Sequence, residues 1–271
     1  MSETFSTIVV PLDLGVDSER AVPVAGAIAS LAALPIELVT VTGDVREQLE
    51  KARLHQSATT HKLERWNSVV LHDKDPGASL AEHLQMIETP LVVMASAVHG
   101  PIGELLSLST AAELLSKARC PVLILGPHVQ PTWHPDGVQL LSCVGSIGHA
   151  ETTMPQMMKW TRTFGCGTPP WFVEVVEPGA LAAAADVDES AHVHRFAELL
   201  AKRGMEGNWD VLHEHDPVDA LLRFAEKFDR AVFVVASDQW SDPAHVHLHS
   251  VSRQLAHRST QPVLVVPRAE P

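Results

Sequence analysis

The chain has 271 residues, 45% of them hydrophobic, which is enough for two ordinary domains with real cores. Its formal net charge of −13 argues against a nucleic-acid partner, whose phosphates need a basic stripe, and against adhesion to anionic lipid. Three cysteines without CxxC or paired spacing fit a reducing cytoplasm, and neither a signal peptide nor an apolar stretch of membrane-spanning length is read.

Thr7 to Leu12 is a β-branched, nearly continuous apolar run and predicts a strand buried on both faces. Asp17-Ser18 offers an N-cap for an Ala-rich helix ending near Leu34, with Pro23 late for a first turn. Ile36 to Val41 predicts a second strand, the polar stretch from Asp44 to Trp66 a helix, and Ser68 to His72 a third strand. Asp75-Pro76 reads as an N-cap followed by proline at the first helical position. The helix it opens places Leu80, Leu84 and Ile87 on one face. Leu91 to Ser96 is the fourth strand, Thr110 to Lys117 a helix, and Pro121 to Leu125 the fifth strand.

The same signals then return. Asp75-Pro76 recurs as Asp216-Pro217, Ala95-Ser96 as Ala236-Ser237, and Pro121-Val122-Leu123 as Pro262-Val263-Leu264, at a constant offset of 141 residues. The second set of strands is Leu140 to Val144, Trp171 to Val176, Val211 to Glu214, Val232 to Ser237 and Val263 to Val266. Ala180 to Asp188 reads as a helix or a loop. Strands alternating with helices imply parallel sheets covered on both faces. The expectation is an α/β chain of two tandem doubly wound domains, residues 1–127 and 138–271, with a turn-rich linker at 128–137.

Open parallel sheets bind ligands outside the carboxyl ends of their strands. In the first copy this directs attention to Asp13, Val41, Ala95 and the following loop with Gly100, which runs into a helix start at Ser109-Thr110. A helix N-terminus suits phosphate, although Thr110-Ala111-Ala112-Glu113 also fits a capping box that needs no ligand.

IVVPLD (Ile8 to Asp13), LVVMAS (Leu91 to Ser96), CPVLIL (Cys120 to Leu125), VFVVAS (Val232 to Ser237), HSVSRQLAHR (His249 to Arg258) and QPVLVV (Gln261 to Val266) together resemble the universal stress protein family in its tandem form. The resemblance implies a five-stranded parallel sheet per domain in the order 3-2-1-4-5, and pairing of the domains through their last strands. In nucleotide-binding members it also implies a loop G-x-x-G-x9-G-[ST] and an Asp closing strand one. Asp13 and Ser109 match that pattern, but Ala95, Val98 and Leu108 hold the glycine positions unless the loop shifts to use Gly100. In the second copy Ala236, Gln239 and His249 hold them, Ser250 remains, and Cys143-Val144-Gly145 offers no Asp. The resemblance therefore implies a non-enzymatic, stress-linked regulatory or interaction protein of the cytoplasm, with nucleotide binding weak or lost. Its partner would be an unidentified protein or a second copy in a homodimer.

Two alternatives stay open. The first copy holds ATP or AMP through Asp13, Val41, Ala95, Gly100, Ser109 and Thr110, or the chain binds metal through His245, His247 and His249, whose spacing of two suits chelation from a strand. Catalysis has little support. There is no Gly-x-Ser-x-Gly elbow and no P-loop, and the acids Asp75 and Asp216 are explained as helix caps.

Overall fold

The computed structural model describes residues 3–13, 15–43, 47–96, 114–115, 117, 119–144, 147–166, 168–176, 194–195, 197–236 and 250–267. In the first half the elements are β1 (Thr7–Pro11), α1 (Val16–Glu19), α2 (Ala21–Ala32), β2 (Ile36–Thr42), α3 (Glu47–Thr60), β3 (Trp66–His72), α4 (Pro76–Gln85), β4 (Pro90–Ala95) and β5 (Val122–Leu125). In the second half they are β6 (Gln139–Cys143), α5 (Ile147–Phe164), β7 (Trp171–Val176), β8 (Asn208–His213), α6 (Pro217–Ala225), β9 (Ala231–Ala236), α7 (Val251–Arg258) and β10 (Val263–Val266).

Each half repeats the expected strand order 3-2-1-4-5, but the two sheets are not separate. They join edge to edge into one ten-stranded sheet, β3-β2-β1-β4-β5-β10-β9-β6-β7-β8. All pairings within a half are parallel. The junction is antiparallel, with Val122, Leu123 and Ile124 opposite Val265, Leu264 and Val263. The fusion satisfies backbone groups that would otherwise form two exposed sheet edges.

Alternation along the strands divides the interior. Ile8 and Val10 point into one core, which also holds Leu38, Leu140 and Trp160 from both halves. Val9 points into the other, with Leu80, Leu221 and Leu255. Side chains on successive strand residues face opposite sides, so a strand covered on both faces must be apolar throughout. That is why TIVVP and VLIL are continuous apolar runs.

Several local expectations change. The first helix is broken at Arg20, and Asp17 and Ser18 lie inside α1, whose N-cap is Gly15. The break explains Pro23. Restarting at Ala21 puts that proline in the first turn of α2, where its missing N–H costs nothing. The strand expected at Val211 begins three residues earlier, at Asn208. Helix α5, not assigned from sequence, runs through Pro155, and burial of Met154, Met157, Trp160 and Phe164 along it outweighs the propensity penalty. Ala180 to Asp188 lies outside the described residues. The turn-rich segment after β5 is packed, since Val129 and Trp133 are buried.

Contacts besides the sheet tie the halves together. The Phe5 ring stacks on Phe164 at 5.8 Å, and the Phe5 N–H donates to Thr163 Oγ1 at 3.1 Å. Trp133 Nε1 donates to Gln261 Oε1 at 3.1 Å. Within the first half, Arg20 Nη2 donates to the carbonyls of Gly126, Pro127 and Val129 at 3.0, 3.1 and 2.8 Å, fixing the chain as it leaves β5.

Candidate functional site

The strand register sets which residues meet at the carboxyl ends. Pro11 pairs with Val39, so two further steps on each strand bring Asp13 level with Val41. On the other side Val9 pairs with Val92, which carries Ala95 and Ser96 to the same end of the sheet. Three of the six expected binding residues, Asp13, Val41 and Ala95, are therefore gathered at the point where strand order reverses around β1. Gly100, Ser109 and Thr110 lie outside the described residues, as do His245, His247 and His249.

Asp13 is exposed, and one of its oxygens is already engaged. Oδ1 accepts from the Gly15 N–H at 2.8 Å and from the Ser18 hydroxyl at 2.5 Å. Gly15, the N-cap, has no side-chain acceptor of its own, so Asp13 closes the turn that leads into α1. Val41 and Ala95 are half-buried and contribute only hydrocarbon.

The second half holds a cavity of about 370 Å³ at the corresponding place. Its walls come from the ends of β6, β7 and β9 and the first turns of α5, α6 and α7. Val175 is the penultimate residue of β7, as Val41 is of β2, and Ala236 ends β9 as Ala95 ends β4. Both Val175 and Ala236 line the cavity, together with Val144, Leu221 and Val251. His149, Ser252 and Cys143 supply the polar atoms, and no Asp, Glu, Lys or Arg is among the described lining residues. Burial pushes the Cys143 thiol up to about 12, which keeps it protonated and unreactive near neutral pH. The sequence carries no direct signal for this cavity. The match of Val175 to Val41 comes from the strand register of the two halves.

Caps account for the other conspicuous polar groups. Asp75 accepts from the Ala78 N–H at 2.9 Å, and Asp216 from those of Val218 and Asp219 at 2.8 and 3.2 Å. Each thereby satisfies amides at the start of a helix with proline in its first turn. Ser250, the match of Ser109, caps α7 by accepting from the Arg253 N–H at 3.3 Å. Among the described residues no three His, Cys, Asp or Glu side chains gather as a metal site. No helix of the described residues is long and apolar enough to cross a membrane.

Comparison with known proteins agrees with this architecture. The chain is similar over nearly its whole length to a universal stress protein from Archaeoglobus fulgidus, with 16% identity, a TM-score of 0.67 and 99% of both chains covered. A functionally unknown protein from Pseudomonas aeruginosa PAO1 matches at 14% identity and a TM-score of 0.66, covering 98% of this chain and 94% of that one. The cytoplasmic domain of a prokaryotic cation chloride cotransporter matches at 14% identity and 0.56, covering 99% and 97%. At such identities these structures show the fold alone. No curated protein matches the chain. The model of the universal stress protein family matches residues 4–126 and again 167–267, one segment in each half of the joined sheet. With two matched segments and two copies of the 3-2-1-4-5 order, the chain belongs to the universal stress protein family as a tandem member.

Proposed function

We propose that the chain is a non-catalytic, stress-linked regulatory protein of the cytoplasm that acts by associating with another protein, and that its second half no longer binds nucleotide. The carrying observation is the chemistry of the second crevice. Its described lining has no side chain of fixed charge, whereas a triphosphate needs converging donors or cations. The residue in register with Asp13 is Gly145, and no glycine stands between Ala236 and the start of α7. In the first half Asp13 accepts two hydrogen bonds within the chain, so a ribose hydroxyl would compete with Gly15 and Ser18 for one of its oxygens. Leu108, standing where family members place a loop glycine, adds bulk where backbone must approach phosphate.

Isothermal titration calorimetry with ATP, with and without magnesium, tests this reading. The expected result is no binding heat at millimolar ATP. Binding at one site per chain that is lost in Asp13→Ala would instead make the first half an ATP or AMP sensor. Saturable binding that survives Asp13→Ala would overturn the loss of nucleotide from the second half.

A further inference from the structure

We infer that the cavity of the second half is a binding site for a small, uncharged, largely apolar molecule. This assignment rests on the reading that the second half no longer holds nucleotide, and it names the ligand class that the same crevice accepts instead.

The first support is size. A cavity of about 370 Å³ exceeds the packing voids of a protein interior and falls within the usual range of small-molecule pockets. The second is the wall. Val144, Val175, Leu221, Ala236 and Val251 present hydrocarbon from three strand ends and two helices. Leu221 and Val235 belong to the main core of that face, so the wall is held by packing and is formed before any ligand arrives. The third is electrostatic. No side chain of fixed charge is in the described lining, so the described walls offer a charged ligand no counter-charge, while an apolar one needs none.

Two other cavities lack this character. One of about 560 Å³ beside Trp133 and Gln261 is bordered by Arg230 and Asp136. One of about 240 Å³ beside α2 is rimmed by Lys62, Glu64 and Arg65. Only the crevice of the second half, among these, combines hydrocarbon walls with the sheet's ligand-binding end.

The test titrates the whole chain with N-phenylnaphthylamine, a neutral fluorophore, and with indole. The fluorophore should bind saturably at one molecule per chain. Indole should shift the methyl resonances of Val175 and Val251 and leave Val41 in place. Ala236→Phe, which fills the cavity, should weaken the fluorophore at least about tenfold. The methyl shifts are read on the unaltered chain, so they decide the matter even if that variant fails to fold. No saturable binding, or binding that leaves Val175 and Val251 unshifted, overturns the assignment. If neither neutral probe binds and ATP does not bind either, only this inference falls. If ATP or adenosine displaces the fluorophore, the assignment and the loss of nucleotide fall together.

Discussion

Gly126 sets the end of β5 hard against the backbone of α7 in the other half, and replacing it tests whether the joined sheet is one cooperative body. A Cβ built there would lie 1.9 Å from the Ala256 carbonyl oxygen and 3.1 Å from its carbon, both in the backbone of α7. Reaching an ordinary separation of roughly 3.5 Å requires a shift of about 1.5 Å. Neither side yields cheaply. Arg20 holds the Gly126 carbonyl and two more carbonyls of the following turn, and α7 is anchored through buried Leu255 and Ala256. Overpacking of this kind costs about 3 kcal/mol. For a chain of this size that lowers the thermal midpoint by roughly 6–12 °C. Gly137→Ala is the control. Its added Cβ meets nothing within 4 Å, and only its φ of +66° resists alanine, at about 1 kcal/mol. Both changes are glycine to alanine, so the effect on the unfolded chain cancels between them. Calorimetric melting of the two variants reads the difference. If Gly126→Ala melts within about 2 °C of the parent, the close approach is not a constraint and the argument for a rigid junction fails.

Removing the cap in Asp216→Ala leaves the Val218 and Asp219 amides without their acceptor and should cost about 1 kcal/mol, whereas Asp216→Asn should retain most of the stability. Urea midpoints of the pair check this, and equal losses in both variants would point to charge and not capping. Stability should also fall in alkaline solution. Burial pushes the thiols of Cys120 and Cys143 up to about 12 from 9.0, so their contribution is complete below pH 9 and is lost as pH rises towards 12. Each thiol accounts for about 1 kcal/mol by pH 10, and Cys120→Ala should flatten the decline of the urea midpoint between pH 8 and 10. A slope unchanged in that variant would mean the thiol ionises without unfolding cost.

The joined sheet bears on how the family fold is used here. Pairing β5 with β10 inside one chain places both last strands in the centre and leaves β3 and β8 as the outer strands. A dimer contact between these last strands is therefore already made within the chain, and association with a second copy would need a different surface. The two crevices lie on opposite sides of the junction, one beside an aspartate engaged by Gly15 and Ser18 and one with hydrocarbon over much of its described lining.

Much of this was written locally in the chain. Continuous apolar runs fixed the strands, because a strand covered on both faces has no solvent side on which to tolerate polar residues. Asp75-Pro76 and Asp216-Pro217 fixed two helix starts, because the cap and the proline act within one turn. The constant offset between copies fixed the duplication. What the sequence did not show was set by groups far apart along it. Helix α5 forms despite Pro155 because Met154, Met157 and Trp160 are buried against strands elsewhere in the chain. Arg20 breaks the first helix while its guanidinium reaches the turn after β5. Asp13 was legible as a residue at the sheet's binding end, but its engagement by Gly15 and Ser18 was not. The cavity of the second half comes from six element ends that no local pattern connects. Propensity and periodicity act over a turn or a strand, whereas a cavity and a junction exist only once the sheet has brought distant residues into contact.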